Sequence, residues 1–314
     1  MNDVSPGDLR ALVAGELAQP LPEAVRAFAA HLACQGRGAA AVLFYGSNLR
    51  TGDLDGVLDF YILVERLGEW HGRGLSALAN HVLPPNVGYH CWSHQGDLLR
   101  AKVAVLRLDQ FCQGVRGGGI DTTLWARFAQ PAALAWVRDA DAGAAAVSAV
   151  STAITTAATW AAWLGPVRGS ASQFWDALFA RTYAAELRVE KKDRALSLAA
   201  HDPERYAAAL TRAWLESGML LHAGEQESLQ PDVSAEARRK ALRTWSWRAR
   251  CGKPLNLLRL FKSIWTFEGG ADYVAWKVER HSGYRIPLRD WQRRHPLLAA
   301  PAVLWKLWRR GVIG

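Results

Sequence analysis

Apolar and polar positions in the first third of the chain alternate between helical spacing and short strand-like runs. Residues 5–36 show helical spacing, and Pro20 and Pro22 divide them into two short helices. AAAVLFYG then predicts a buried strand, LRTGDLDG a polar loop and VLDFYILV a second strand, because β-branched and aromatic residues favour strands. The polar segment over 69–81 is compatible with a helix.

The pattern becomes helical further along the chain. GYHCWSHQGDLLRAKVAVLRL still predicts a hairpin, whose turn lies near Gln95, Gly96 and Asp97. From about residue 142 the sequence is largely helical, and the small-residue stretch over 140–164 predicts a buried helix. The predicted fold is α+β. It comprises a mixed-sheet unit over 1–140, an all-helical region over 141–250, and basic tryptophan-rich helices over 251–314.

Basic residues concentrate near the C-terminal end. Residues 235–314 hold 18 Lys and Arg against 5 Asp and Glu, although the whole chain has a net charge of only +9. Seven of the 15 tryptophans lie in the same segment. A basic, tryptophan-rich end on a near-neutral body predicts docking on an anionic surface, either a membrane or a nucleic acid. The alternative is a solvated basic face whose tryptophans belong to the core.

Composition excludes several classes of protein. Half of the residues are apolar, which is typical of a globular chain rather than a disordered one. We expect neither a secretory signal nor a transmembrane helix. The four cysteines lack CxxC or zinc-ligand spacing, so we expect reduced cytosolic thiols: Cys34, Cys91, Cys112 and Cys251.

One Gly-Ser pair and one strand-borne carboxylate suggest phosphate chemistry. Gly46 and Ser47 follow the first predicted strand, and Asp59 lies inside the second. Nucleotidyltransferases use this arrangement. A glycine lets the backbone approach a triphosphate, a serine hydroxyl donates to a phosphate oxygen, and a carboxylate holds Mg²⁺ beside the phosphates. The alternative is a strand end followed by a hydrogen-bonded aspartate.

The second carboxylate of such a metal site is missing from its usual place. Many nucleotidyltransferases carry Asp-x-Asp on this strand, yet residue 61 is Tyr61. Asp55, in the preceding loop, is the candidate for the second Mg²⁺ ligand, and Asp53 is an alternative. Turn acids are common, so both acids are equally compatible with an ordinary loop.

Six short motifs resemble one family in their order. They are FYGSNL, VLDFYILV, EWHGRGLSALANH with Trp70 and His71, VGYH, AKVAVLRLDQF and LWARFAQP, and they span residues 41–131. This set resembles the mitochondrial phosphatidate cytidylyltransferases, the peripheral type of CDP-diacylglycerol synthase. The Asp-bearing strand of that family also lacks a second acid. The Ala- and Arg-rich, Lys-poor composition points to a bacterial member with a GC-rich genome.

The resemblance implies a nucleotidyltransferase-like domain that uses CTP and Mg²⁺ to cytidylylate a lipid phosphate and releases pyrophosphate. It implies that Gly46 and Ser47 contact the triphosphate and that Asp59 binds the metal. Lys102 occupies the strand where many nucleotidyltransferases carry a third carboxylate, so it is expected to bind the triphosphate or the lipid phosphate. Further nucleotide contacts are expected from Tyr45, His71 and Arg127.

Each of these residues also has an ordinary structural interpretation. Lys102 would be a lysine that protects a sheet edge from aggregation. His71 would be a histidine on a surface helix. Trp70 is expected in the core rather than stacked on cytosine.

Two C-terminal segments have the character of interfacial helices. Over 257–265, apolar residues form one helical stripe with Arg259 and Lys262 outside it. Residues 304–310 combine leucines and tryptophans with three cations. Such helices bind anionic lipid surfaces. Packing of the first stripe against the helical region is the alternative, and the basic run ARRKALRTWSWRARCGK is compatible with RNA binding.

The sequence therefore leaves three hypotheses. The first is a cytoplasmic lipid-phosphate cytidylyltransferase, peripheral on the inner face of the cell membrane, for which nucleic acid is not an expected partner. Its acceptor is phosphatidate by resemblance, or another lipid phosphate such as a phosphorylated ceramide or isoprenoid. The second is a catalytically inactive protein of the same fold that binds nucleic acid. The third is a nucleotidyltransferase that acts on RNA or on a soluble acceptor.

Overall fold

A five-stranded mixed sheet forms the N-terminal part of the molecule in a computed structural model. The structure describes residues 8–72, 74–185, 198–219, 221–223, 228–284, 286–294, 298–299 and 305. The strands are β1 (Ala39–Tyr45), β2 (Val57–Val64), β3 (Asn86–His94), β4 (Asp97–Arg107) and β5 (Ala132–Val137). Their spatial order is β3-β4-β2-β1-β5. Four of these strands lie in the segments where the sequence predicts strands, and β5 was not predicted.

The connections fix the direction of each strand. β1 runs antiparallel to β2 and β5, β2 runs parallel to β4, and β3 runs antiparallel to β4. The β3–β4 turn lies where it was predicted: Gln95 and Gly96 both have positive φ, at 51° and 94°. Two-residue hairpin turns of this kind require positive φ at both positions.

Helices of the first part lie on both faces of the sheet. Their bounds are α1 (Leu9–Leu17), α2 (Glu23–Ala33), α3 (Ser47–Thr51), α4 (Leu67–Trp70), α5 (Leu75–Val82), α6 (Leu108–Gly114) and α7 (Thr123–Phe128). Side chains of α2 pack with Phe60 and Ile62 on one face. The opposite face, which carries Tyr61 and Leu63, packs with α1, α6 and α7. The period-2 alternation of β2 thus supplies two separate hydrophobic clusters.

The second part is mostly helical. It contains α8 (Ala140–Leu164), α9 (Ala171–Ala185), a 3-10 turn at Ala199–His201, α10 (Pro203–Glu216), α11 (Ala235–Thr266), α12 (Gly270–Ser282) and α13 (Asp290–Arg294). A two-stranded ribbon of β6 (Leu221–Ala223) and β7 (Leu229–Pro231) corrects the expectation that this region is all-helical. The helices continue the hydrophobic cluster that begins on the Tyr61 face of the sheet.

Helix α8 is the central helix of that cluster. It packs against α7, α9, α10 and α11 as well as the sheet. By length and composition it is the one helix in the described part of the chain that could cross a membrane. Its buried alanines, with Ile154 and Trp160, belong to the protein core, as predicted for this small-residue stretch.

Helix α11 carries the chain back to the sheet and runs across the predicted limit at residue 250. The next turn then covers the edge of β3: the backbone N–H of Tyr89 donates to the carbonyl of Glu268 at 2.8 Å. Gly88 and Glu268 form an isolated parallel bridge. A sheet edge covered in this way is protected from pairing with other chains.

Candidate functional site

Four polar side chains form a row across the sheet. Tyr45 of β1 is in register with Asp59 of β2, Asp59 with Lys102 of β4, and Lys102 with Tyr89 of β3. Residues in register on neighbouring strands project from the same face. β4 is an internal strand, so the interpretation of Lys102 as an edge-protecting lysine is wrong. Three sequence-predicted site residues thus share one sheet face.

Gly46 brings the backbone turn against Asp59. Its φ is 96° and its ψ is −164°, a region that is essentially restricted to glycine. A Cβ at this position would lie 2.9 Å from Oδ2 of Asp59. Ser47 then begins α3, beside the same carboxylate-bearing strand. The Gly-Ser pair therefore lies next to Asp59, as the sequence predicts.

Tyr61 holds the guanidinium of Arg127. The Tyr61 side chain is fully buried, and its hydroxyl accepts a hydrogen bond from Nη1 of Arg127 at 2.7 Å. The same guanidinium carbon lies 5.3 Å from the ring centroid of Tyr45. Tyr61 occupies the position where many nucleotidyltransferases carry a second acid, and here it orients a cation. Arg127 and Tyr45, both predicted as nucleotide contacts, are thereby brought together.

A cavity of about 150 Å³ lies between this sheet face and α11. Four cations line it: Lys102, Arg127, Arg259 and Lys262. Among the described residues, no carboxylate lines it. The remaining lining residues are Tyr45, Tyr61, Pro85, Val87, Ala104, Thr123, Asn256, Ser263 and Thr266. Such a concentration of positive charge in a confined space favours polyanions, above all phosphates.

Arg259 and Lys262 are fixed by contacts that α11 makes with the rest of the protein. Nη2 of Arg259 lies 2.6 Å from Oδ2 of Asp121, and Nε donates to the carbonyl of Pro84. Nζ of Lys262 donates to the carbonyls of Leu83 and Pro85, both at 2.6 Å. Both cations are therefore positioned before any ligand binds.

The pKa values of Asp121 and Lys262 are both lowered, but for different reasons. Burial raises the pKa of the Asp121 carboxyl, but the hydrogen bonds and charge of Arg259 outweigh burial and leave the pKa below its usual value. Burial, reinforced by the neighbouring charge of Arg259, lowers the pKa of Lys262 to about 8. Lys262 therefore changes charge close to neutral pH, whereas the arginines of the cavity stay charged.

His71 lies apart from this row of side chains. It lines a neighbouring cavity of about 180 Å³ that shares Val87 and Thr266 with the first. Its Nε2 lies 2.9 Å from Nδ2 of Asn80, and burial, with a smaller effect of Lys262, lowers its pKa. His71, predicted as a nucleotide contact, therefore does not line the cavity that Lys102 and Arg127 line.

Trp70, beside His71, packs in the protein as predicted. A Cβ at Gly36 would lie 2.5 Å from the Trp70 ring, and the ring packs against the hydrophobic cluster on the α2 face.

Asp55 also lies apart from Asp59. Its side chain is exposed and lines a separate cavity with Asp97 and Arg100. Its backbone N–H donates to Oδ1 of Asp53 at 2.8 Å, which is an ordinary loop contact. Within the described ranges, no cluster of three or more His, Cys, Asp or Glu residues has metal-site geometry. Asp59 is therefore not grouped with Asp55 or Asp53 in a metal site.

Sequence reasoning overlooked the contribution of α11 to this site. The signal was present, because Arg259 and Lys262 lie outside the apolar stripe of residues 257–265. The sequence predicts that the stripe either binds a membrane or packs against the helical region, and it assigns no ligand contact to the two cations. In the structure, Arg259 and Lys262 line the cavity on the side of α11.

Fold and site together define an α+β protein with a cation-lined cavity on one face of a five-stranded mixed sheet. No protein-family model matches the chain, and no curated protein is significantly similar to it.

The contact between Gly46 and Asp59 generates the first prediction. Gly46→Ala is expected to lower the free energy of unfolding by about 2–3 kcal/mol, because it adds a side chain both in a glycine-only region and against Asp59. Gly52→Ala is the matched control. Gly52 also has positive φ, at 71°, but open space surrounds it, so a loss of about 1 kcal/mol is expected. Urea denaturation measures both variants, and equal losses would contradict a close contact at Asp59.

The lowered pKa of Lys262 generates the second prediction. Sulfate is a suitable probe because its own charge is constant between about pH 7 and about pH 10. As pH rises through about 8, Lys262 loses its proton and the cavity loses one positive charge. The dissociation constant is therefore expected to rise, by at most about tenfold per pH unit.

Two variants of Lys262 separate charge from shape, with calorimetric titration as the measurement. Lys262→Arg keeps its charge and should bind sulfate independently of pH over this range. Lys262→Met should bind weakly at every pH. A wild-type protein whose affinity is constant through pH 9 would exclude Lys262 from the anion site.

Proposed function

We propose that this protein is a Mg²⁺-dependent cytidylyltransferase that transfers CMP from CTP to a lipid phosphate and releases pyrophosphate. One observation carries the proposal: Asp59 lies against the Gly46 turn and in register with Lys102, beside a cavity lined by four cations. A carboxylate beside a cationic cavity is what transfer between two phosphate groups requires. The nucleotidyltransferase-like assignment and the identity of CTP rest on the resemblance of the sequence motifs.

The reaction needs no proton-transfer residue. An oxygen of the acceptor phosphate attacks the α-phosphorus of CTP, and the bond from that phosphorus to the oxygen bridging the β-phosphate breaks. Pyrophosphate leaves with the electron pair of the broken bond. Because the acceptor is already ionised, positioning and charge neutralisation supply the catalysis. The cavity fits this demand, since four cations line it and, among the described residues, no carboxylate does.

Asp59 is the residue that would hold Mg²⁺. Magnesium is usually bound by one or two carboxylates, with substrate phosphates and water completing its shell. One half-buried carboxylate beside a glycine turn therefore fits an ion that arrives with the nucleotide. The ion supplies charge neutralisation and alignment of the phosphates when bound. Asp55 is too exposed and too separate in its contacts to be assigned as the second ligand.

The size of the cavity decides which part of the substrates it accepts. At about 150 Å³ it is smaller than the roughly 300 Å³ of a typical small-molecule site. It therefore accommodates phosphate groups, and the nucleoside and the lipid extend outside it. Lys102 and Arg127, which lie on the sheet side, contact the triphosphate near Asp59. Arg259 and Lys262, which lie on α11, bind the acceptor phosphate.

A lipid acceptor is supported by the outer face of α11. Six large apolar side chains there are between 38% and 66% exposed: Leu257, Leu258, Leu260, Phe261, Ile264 and Trp265. They stay exposed while Arg259 and Lys262 of the same helix line the cavity, so the alternative in which this stripe packs against the helical region is wrong. Three more exposed apolar residues lie on α5, against which α11 packs: Leu75, Leu78 and Val82. We call these nine residues the α5–α11 surface.

The α5–α11 surface suits the boundary of an anionic membrane. Exposed aromatic and aliphatic groups on one side of a helix enter the headgroup region, and nearby cations meet anionic lipid. The phosphate of a bilayer lipid would then lie one helix diameter from the cations of the cavity. The other predicted anchor, over 304–310, falls outside the described residues except for the exposed Trp305.

Substitution of Asp59 tests the reaction. Pyrophosphate release should require Mg²⁺, CTP and a lipid phosphate in mixed micelles, and Asp59→Asn should reduce the rate at least about 100-fold. Asp97→Asn, which removes an exposed carboxylate at the hairpin, is the control and should keep the wild-type rate. A panel of phosphatidate, ceramide phosphate and isoprenoid phosphate identifies the acceptor.

The same assay can refute the proposal. Absence of pyrophosphate release from every pairing of the four nucleoside triphosphates with these lipids would exclude it, provided that the protein is folded. Release with RNA or a soluble acceptor alone would replace the lipid by that acceptor. Full activity in Asp59→Asn would remove Asp59 from the mechanism.

Substitution of the α5–α11 surface tests membrane docking. Phe261→Ser and Trp265→Ser are each expected to weaken binding to phosphatidylglycerol vesicles at least about 10-fold, because each removes a large apolar group from the interface. Leu215→Ser is the control, since Leu215 is also exposed but lies on α10. Vesicle flotation is the measurement. Retention of wild-type binding in both aromatic variants, or binding to RNA but not to vesicles, would contradict the proposed surface.

A further inference from the structure

A second, larger cavity lies away from the proposed site. It has a volume of about 700 Å³ and is bounded by α8, α11, the start of α1, the end of α10 and the loop after α6. We call it the α8 cavity. It shares no lining residue with the cavity beside Asp59. Its volume lies within the range of small-molecule sites, roughly 300–1,000 Å³.

The most informative residue of the α8 cavity is Arg248. Arg248 is only 5% exposed, and its guanidinium carbon lies 4.4 Å from the ring centroid of Trp160. Nη2 donates to the carbonyl of Gly117. Nη1 is buried and has no hydrogen-bond partner within the described part of the chain. No carboxylate pairs with Arg248 among these residues either.

A buried guanidinium with an unused donor is costly on its own. Buried charges are normally paired, because removing an unpaired charge from water is strongly unfavourable. Burial lowers the pKa of Arg248, which reflects the same cost. An anion in the cavity would satisfy Nη1 and remove most of this penalty. Arg248 is therefore built to receive a negatively charged ligand.

Positive charge predominates among the other charged residues that line the α8 cavity. Three arginines line the cavity, Arg10, Arg116 and Arg248, against one acid, Glu216. The Glu216 carboxylate is already engaged, since it accepts a hydrogen bond from the backbone N–H of Leu9 at 2.8 Å. Arg10 and Arg116 are exposed and lie where a charged ligand would enter. The lining thus favours anions at the entrance as well as in the interior.

The loop after α6 is shaped to lie close to α8. Gly117 has a φ of 68°, and a Cβ there would lie 2.5 Å from Cγ2 of Thr156. A larger residue would push the loop away from α8 and move the carbonyl that holds Arg248. Gly117 thereby fixes the position of the guanidinium relative to the cavity.

A row of hydroxyl groups along α8 forms the remaining wall. Six side chains contribute: Ser148, Ser151, Thr152, Thr155, Thr156 and Thr159. Four of them donate to the carbonyl four residues earlier in the helix, at distances from 2.8 to 3.1 Å. Their protons are therefore used, but their lone pairs still accept hydrogen bonds. The wall is suited to a ligand that carries its own hydroxyl donors.

We propose that the α8 cavity binds a phosphate monoester of a small polyol, with the phosphate on Arg248 and the polyol hydroxyls on the α8 wall. Trp160 and Trp163 provide apolar surface for the carbon atoms of the ligand. This site goes beyond the proposed transferase reaction and does not depend on it. Neither Asp59 nor Lys102 takes part in it.

Glycerol 3-phosphate is the probe, and calorimetric titration of the full-length protein is the measurement. Arg248→Gln is expected to weaken binding at least about 30-fold, since it removes a charge-assisted hydrogen bond to a phosphate. Arg243→Gln is the matched control, because Arg243 lies exposed on the same helix and does not line the cavity. It should bind like wild type.

A second variant keeps the proposal testable if Arg248→Gln fails to fold. Thr155→Leu keeps Arg248 and places a larger apolar group in the wall, so it should weaken glycerol 3-phosphate binding at least about 10-fold. Lys102→Met tests independence from the first cavity: it should abolish transferase activity and leave glycerol 3-phosphate binding unchanged. Loss of activity and loss of binding are thus separable.

Two arms distinguish the source of the phosphate. Binding of free glycerol 3-phosphate that depends on Arg248 indicates a soluble ligand. Binding to phosphatidate vesicles that depends on Arg248, without binding of the free compound, indicates a lipid headgroup. Two results would overturn the proposal. The first is wild-type affinity for glycerol 3-phosphate in both Arg248→Gln and Thr155→Leu. The second is loss of all glycerol 3-phosphate binding in Lys102→Met.

Discussion

The attachment of α11 to the sheet is the interaction on which the rest of the site depends. Arg259 reaches Asp121, and Lys262 reaches two carbonyls in the loop before β3. These contacts place both cations over the row that contains Lys102, and they also determine which side of the helix faces outward. The exposed apolar stripe is therefore a consequence of the same contacts that close the cavity. One helix thus links the proposed phosphate site with the proposed membrane-docking surface.

The sheet contributes the other half of this arrangement. Strand register fixes Tyr45, Asp59 and Lys102 in one row without any help from ligands. Tyr61 then explains the missing second acid, because its hydroxyl holds Arg127 over the same face. The site consequently contains more fixed positive charge than a two-carboxylate metal site would. This balance suits the two anionic substrates and single metal ion of the proposed reaction better than several metal ions.

The local pattern of the sequence predicts much of the fold, whereas the features that depend on long-range packing could not be predicted from it. β1, β2, the β3–β4 turn and α8 follow from residue alternation and turn chemistry. The sequence grouped Gly46 and Ser47 with Asp59 as one predicted phosphate site, but the close approach of Gly46 to Asp59 is visible only in the structure. β5 is rich in alanine, so its strand character depends on pairing with β1 rather than on propensity. Arg259 and Lys262 were placed outside the stripe, but only tertiary packing shows that they face Lys102.

The most direct test of the central claim is a crystal structure with Mn²⁺ and a CTP analogue whose α,β-bridge cannot be cleaved. The account predicts an anomalous manganese peak within coordination distance of the Asp59 carboxylate. It also predicts triphosphate oxygens in contact with Lys102 and Arg127, beneath α11. Nucleotide bound elsewhere, or manganese held by other residues while Asp59 stays uncoordinated, would contradict the account.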